Sequence, residues 1–199
     1  MPVVWVPTQA RYRDSETGRF VSRSTVLGYL RESMDAAGNE VKLLVAKVKS
    51  SEVSLSDFST LFRREIQDEF IRQYVAGRGG LGSMTQSDWG RVGRLLRDQY
   101  KYAKGFEADV LGMSEAAAAN RANMYINAAG SAFEWGQRQA HKLSGTFKEE
   151  YWELGDAEHC DDCERLNSMG WVEIGTLPTV PRAGSTACMT NCQCGIKYR

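Results

Sequence analysis

No cysteine occurs in the first 159 positions, no proline between Thr8 and Leu177, and only two histidines, His141 and His159, in all 199 residues. The proline gap permits long uninterrupted helices. Two histidines leave little room for a conventional base-driven active site. No stretch approaches the ~18 apolar residues of a membrane span, so no membrane partner is expected. Met1-Pro2-Val3-Val4-Trp5-Val6-Pro7 has neither a basic leader nor an apolar run of signal-peptide length, and nothing in it points to secretion. With 25 Lys+Arg against 25 Asp+Glu, the chain carries no bulk positive field of the kind that coats nucleic acid. What is present, 42% hydrophobic residues, suffices for a real core and excludes global disorder. The first fifty residues lean basic and the last fifty acidic, a mild bias that reads as variation on solvated surfaces.

The proline-free stretch reads as three or four helices. The first runs from Thr25 to Lys49, with Leu27, Leu30, Met34, Val41, Leu44, Val45 and Val48 at helical spacing and Gly38-Asn39 as the point where it would break or bend. A second opens at Ser54, with Asp57 as a capping partner, places Phe58, Leu61, Phe62, Ile66, Phe70, Ile71 and Tyr74 on one side, and ends near Gly77. Gly77 to Ser83 is a flexible, glycine-rich link that lacks the strand and Lys-Ser/Thr ending of a phosphate loop. A third helix starts after Thr85, with Asp88 as partner, and carries Trp89, Val92, Leu95, Leu96, Tyr100, Ala103 and Phe106. Ser114 caps an alanine-rich fourth with a stripe from Ala117 to Ala140. Small residues (Gly90, Gly93, Ala129 and Gly136) would let these helices approach closely.

After Ser144 the period changes to two. Tyr151-Trp152-Glu153-Leu154, Trp171-Val172-Glu173-Ile174 and Gly195-Ile196-Lys197-Tyr198 read as short strands of a module of roughly fifty residues, too small to hold its shape without a staple.

That staple is the cysteine cluster. Cys160-x-x-Cys163 forms one half, and Cys188-x-x-x-Cys192-x-Cys194 the other, after a 24-residue excursion. Residues two apart in an extended segment face one side, so Cys192 and Cys194 can converge. One tetrahedral Zn²⁺ held by four sulfurs, or by three and an imidazole, fits this supply. With His159 there are six candidate ligands for four places, and the spacing does not choose among them. A disulfide framework is disfavoured by the odd count. A thioredoxin-like pair would want its Cys-x-x-Cys to open a helix after a strand, and the acidic neighbours Glu158, Asp161, Asp162 and Glu164 are wrong for a reactive thiolate. Those four acids read as a solvated loop face. An iron–sulfur cluster is the remaining use, though the spacing matches no ferredoxin run. No catalytic constellation emerges, and an enzyme is not expected.

The tail Trp152-Glu153-Leu154-Gly155, His159-Cys160-Asp161-Asp162-Cys163, Trp171, Leu177-Pro178, Cys188 and Asn191-Cys192-Gln193-Cys194 resembles the terminal module of the phage head-morphogenesis family, the Mu F-like minor head proteins of tailed bacteriophages. Helical segments around Met84 to Gly93 and the segment Tyr12 to Val21 are similar to regions of these proteins as well. Many members carry a histidine near the closing cysteine pair where this chain has Cys188; a thiolate can replace an imidazole on zinc. The resemblance implies a minor structural virion component, in the capsid interior or at the portal vertex, assembled in the host cytoplasm, with portal or major capsid protein as partner and packaged DNA as a further contact.

The expected fold is α+β: an N-terminal arm over 1–23, a helical domain over 24–145 and a Cys-rich zinc module over 146–199. The arm reads as a frayed terminus in preference to a segment that orders on a partner. Nucleic-acid binding is the alternative function, with Arg78, Arg91, Arg94 and Arg97 as phosphate contacts; the blander and preferred reading pairs them with Asp88 and Asp98 as a solvated face.

Overall fold

A computed structural model describes residues 3–6, 9 and 11–199. The chain is α+β, mainly helical, with two small antiparallel sheets. Five long helices follow in sequence: α1 (Arg23–Lys49), α2 (Leu55–Arg78), α3 (Gln86–Asp109), α4 (Glu115–Ala128) and α5 (Gly130–Ser144). Ser22, Ser54, Thr85 and Ser114 each accept a backbone N–H as N-caps, and Thr85 with Asp88 closes a full capping box. Among the described residues, no helix is long and apolar enough to cross a membrane.

Helix α2 is the axis of the bundle, packing against α1, α3 and α5. Its stripe Phe58, Phe62, Ile66, Phe70 and Tyr74 is fully buried. Phe62 stacks on Phe58 at 5.5 Å and meets Phe106 of α3 and Tyr125 of α4 edge-on at 5.3 and 5.5 Å. The close approach of α2 to α5 depends on two glycines. A Cβ on Gly77 would lie 2.2 Å from the Phe133 carbonyl, and one on Gly136 2.6 Å from that of Tyr74. Gly90 and Gly93, expected to serve the same purpose, have nothing within 4 Å of an added Cβ and make no such contact.

Several boundaries differ from the sequence expectation. Helix α1 passes through Gly38 without a break, because Gly38 accommodates the side chain of Asn123, whose Oδ1 would be 2.3 Å from a Cβ there. The alanine-rich fourth helix is two. The break falls at Ala129, whose N–H donates to the Ile126 carbonyl, and Ser131 Oγ donates to the Ala128 carbonyl at 2.7 Å. The glycine-rich link is fastened: α2 ends on Gly79 at φ 92°, and Arg78 donates to the Ser83 carbonyl at 2.7 Å.

The N-terminal arm is a correction. Strands β1 (Val3–Val6), β2 (Arg11–Asp14) and β3 (Phe20–Val21) form an antiparallel meander; residues 1, 2, 7, 8 and 10 of that expected arm lie outside the described residues. Tyr12 is buried with Val26, Leu30 and Phe133, and Trp5, Val21 and Leu27 pack alongside. The Tyr12 hydroxyl accepts from Gln137 of α5. Packing against α1, α5 and the end of α2, where Trp5 N–H donates to the Gly79 carbonyl at 3.3 Å, holds so short a sheet, which is why local pattern did not reveal it.

The second sheet has order β5-β4-β6: β4 (Glu149–Glu153) at the centre, β5 (Val172–Glu173) and β6 (Gly195–Tyr198) at its edges. A short helix, α6 (Asp161–Ser168), follows β4 and packs on it. The acids assigned to a solvated loop are in fact on or beside this helix, Asp161, Asp162 and Glu164 in its first turn, where negative charge suits the N-terminus.

Candidate metal centre

The two halves of the cysteine cluster arrive on different elements. Cys160 caps α6 and Cys163 sits one turn in, which turns both thiols toward β4 and the closing segment. Cys188 opens a short 3₁₀ turn (Met189–Asn191), and Cys192 and Cys194 lie between it and β6. Asp162 Oδ2 accepts the Ala187 N–H at 3.0 Å, tying the first turn of α6 to the second half just before Cys188. Trp152, Leu166, Leu177 and Ile196 surround the sulfurs as a small apolar shell.

The excursion between the halves is held by a buried ion pair. Arg138 of α5 donates through Nε to Glu150 Oε2 at 2.8 Å and through its terminal nitrogens to the carbonyls of Leu177 and Thr179 at 3.3 and 3.0 Å. Glu150 Oε1 accepts the N–H groups of Gly175 and Leu177, both at 3.0 Å. Arg182 donates to the Cys192 carbonyl at 3.0 Å. Helix α5 thus positions the loop that delivers Cys188.

All five cysteines are free thiols. Cys163 Sγ stands 3.6 Å from Cys188 Sγ and 3.6 Å from Cys192 Sγ, far beyond a disulfide bond of ~2.05 Å. The donors form two overlapping groups: Cys160, Cys163 and Cys188, and Cys163, Cys192 and Cys194, each with all donor atoms within 4.8 Å of one another. Sulfurs around a tetrahedral ion at a metal–sulfur distance of ~2.3 Å are ~3.8 Å apart, so the cluster is close enough to bind a metal ion. Cys163, Cys192 and Cys194 are buried, while Cys160 and Cys188 are partly accessible.

The thiols' acidities diverge. Burial, then the neighbouring thiols of Cys188 and Cys160, pushes Cys163 up. Burial is also the main cause that lifts Cys192 to about 12, against a hydrogen bond from the Cys194 backbone that draws it down. For Cys160, burial is outweighed by hydrogen bonds from Cys163 and Cys188, which bring it down to about 7. Crowded sulfurs resist losing their protons together, and a bound cation removes that resistance by deprotonating its ligands.

His159 adjoins Cys160 in sequence but faces elsewhere. Its Nδ1 lies 3.7 Å from Cys194 Sγ and its Nε2 2.9 Å from the Gly155 carbonyl. A carbonyl only accepts, so Nε2 donates to Gly155, and Nδ1 is the ring nitrogen that faces Cys194. Gly155 lets the Gln193 backbone pass close by; a Cβ there would sit 2.4 Å from the Gln193 carbonyl.

Two sequence readings need correcting. The Cys-x-x-Cys does open a helix after a strand, contrary to the argument used against a redox pair; what sets it apart from an isolated dithiol is the third and fourth sulfurs beside Cys163. Arg78, offered as a phosphate contact, is buried and ion-paired to Asp88 at 3.0 Å. Asp88 also takes the Tyr74 hydroxyl at 3.0 Å, so it is no partner for Arg91, Arg94 or Arg97, and Asp98 pairs with Lys101. Sequence reasoning missed α6 and the Arg138–Glu150 pair. The acidic first turn followed by Cys163 and Leu166 on one face signals the helix; nothing local signals the pair.

No protein-family model, curated protein or solved structure matches the chain.

Proposed function

We propose that the chain is a minor structural protein of a tailed-phage head, in which a zinc-stapled module and a helical bundle together present a rigid surface to the portal or inner capsid. The observation that supports this reading is the gathering of Cys160, Cys163, Cys188, Cys192 and Cys194 into two overlapping donor groups that share Cys163, with His159 beside Cys194. These are the residues that carry the resemblance to head-morphogenesis proteins. The donor set of thiolates and imidazole is that of a structural zinc site, and zinc bound there supplies rigidity to a module whose own apolar core is small. Purified protein mixed with portal or capsid protein tests the role. Co-sedimentation with assembled or unassembled forms, lost on removal of zinc, is the expected result; absence from both pellets overturns it.

A second reading, contact with packaged DNA, draws on one specific observation. Arg91, Arg94 and Arg97 are exposed on α3, and among the described residues none of them makes an ion pair. Lys101 and Lys104 continue the row. Binding through such a row falls steeply with salt and disappears when the three arginines are replaced together. Binding that is flat or absent near physiological salt removes this reading.

A further inference from the structure

Buried side-chain polar atoms without a hydrogen-bond partner are rare, and each calls for a physical reason. Among the described residues, three of them meet at one place. Trp5 Nε1, His141 Nδ1 and Tyr198 Oη are buried and unpartnered, and all three residues line one cavity of about 480 Å³. Trp5 comes from β1, His141 from α5 and Tyr198 from β6, so the cavity opens where the N-terminal meander, the bundle and the C-terminal module meet. Its volume is that of a small-molecule site. His141 itself is only 3% exposed, and its ring centroid lies 4.3 Å from that of Tyr198 and 5.2 Å from that of Trp5.

The lining has a definite chemical character. An indole N–H only donates, and the Tyr198 hydroxyl has a proton to give. The Tyr12 hydroxyl, also in the lining, accepts from Gln137 and keeps its own proton for a further acceptor. The charged lining residues are Arg11, Arg23 and Lys197, and no described residue of the lining is acidic. Arg23 and Lys197 already face carboxylates outside the lining, Glu134 at 3.7 Å and Glu153, whereas Arg11 makes no ion pair among the described residues. Ring faces, donors and one uncompensated positive charge complement a flat molecule that accepts hydrogen bonds and carries negative charge.

We propose that this cavity binds a small molecule built of a planar ring bearing an anionic group, with the ring among Trp5, His141 and Tyr198 and the anion toward Arg11. The inference rests neither on the metal centre nor on any role in a phage head. Aromatic carboxylates and nucleotides share this chemistry. Binding satisfies the three orphaned atoms together: Trp5 and Tyr198 donate to the ligand, and the neutral His141 ring donates or accepts according to its tautomer. Tyr198 is four residues from the C-terminal end of the cysteine cluster, so the site also joins the module to the meander.

Calorimetric titration of the full chain with indole-3-carboxylate, and separately with adenosine monophosphate, tests the inference. Saturable binding of at least one probe is expected, and the probe that binds more tightly identifies the source of the ring. Indole-3-carboxamide, which keeps the indole ring and lacks the charge, should bind about tenfold more weakly than the carboxylate if that is the probe bound. Tyr198→Phe deletes only a hydroxyl that has no protein partner. It should leave the thermal midpoint of the unliganded protein unchanged and weaken binding about tenfold, as should Arg11→Gln. Binding of neither probe at millimolar concentration overturns the proposal, as does affinity that is the same in both variants or, where indole-3-carboxylate binds, equal for the carboxamide. A lower midpoint in unliganded Tyr198→Phe shows ordered water already satisfying the hydroxyl and overturns it as well.

Discussion

The helical bundle and the C-terminal module solve the same problem with different chemistry. The bundle buries a column of aromatic rings along α2, backed by Phe106 and Tyr125, and gains stability from apolar area removed from water. The module's own apolar cluster is small: Trp152, Leu166, Leu177, Ile196 and the sulfurs, with Leu154, Val172 and Tyr198 packed against them. In place of the missing hydrocarbon it has a cysteine cluster spaced for a metal and one buried ion pair. A segment of roughly fifty residues cannot exclude enough water to fold by area alone, so it concentrates its stability in a few strong, directional contacts. Such a region is vulnerable to single substitutions and to chelation in a way that the bundle is not.

The largest expected effect separates the two regions directly. A strong chelator, or Cys163→Ser, should open residues 149–199 to protease while helices α1 to α4 keep their circular dichroism signal, because metal binding of this kind contributes on the order of 10 kcal/mol to folding. Phe62→Ala should do the reverse. It leaves metal content unchanged and lowers global stability by about 3–5 kcal/mol in chemical denaturation, since a ring touching Phe58, Phe106 and Tyr125 leaves a cavity none of them can fill. Loss of both regions together in either experiment would show that they fold as one unit.

Arg138→Met sharpens the boundary between the regions. It strands Glu150 without its cation and releases the Leu177 and Thr179 carbonyls, at a cost of about 3–5 kcal/mol, read as faster amide exchange at Gly175 and Leu177. The double variant Arg138→Met, Glu150→Leu should recover a large share of that loss.

A smaller effect comes with pH. His141 lies at the seam between Trp5, Phe147 and Tyr198, with ring centroids 5.2, 4.8 and 4.3 Å away, and its Nδ1 has no hydrogen-bond partner among the described residues. Burial, and then the charge of Arg23, brings its pKa from 6.5 down to about 4. The unfolded chain therefore binds a proton below pH 6.5 that the folded chain refuses until about pH 4. Stability should be full above that window and decline through it as pH falls, by up to about 3 kcal/mol. His141→Phe should flatten this part of the pH–stability curve. The smallest effect, about 1 kcal/mol, is expected for Thr85→Ala, which removes the cap of α3 and shifts the denaturation midpoint without touching metal content.

Much of the bundle is legible in the sequence. The serine and threonine caps at Ser54, Thr85 and Ser114 and the aromatic stripe of α2 are local patterns, and local patterns survive folding. The presence of a cluster able to bind a metal is legible too, because Cys-x-x-Cys and Cys-x-Cys carry their own geometry. The N-terminal meander is not, since Tyr12 is buried, and Trp5 partly so, against α1, α5, the end of α2 and the residues after α5. Nor is the split between α4 and α5, which follows from a hydroxyl returning to its own backbone and from Arg182 pressing on Gly130, where a Cβ would sit 2.7 Å from a guanidinium nitrogen.

Composition and spacing by themselves determined that the chain would be helical over its long proline-free stretch and that sulfurs would gather in its tail. Which sulfur neighbours which, which way His159 turns, and how Arg138 fastens the intervening loop were decided only in three dimensions. Those contacts join residues 12 to 41 positions apart, and no local preference of the backbone records where such distant partners will meet.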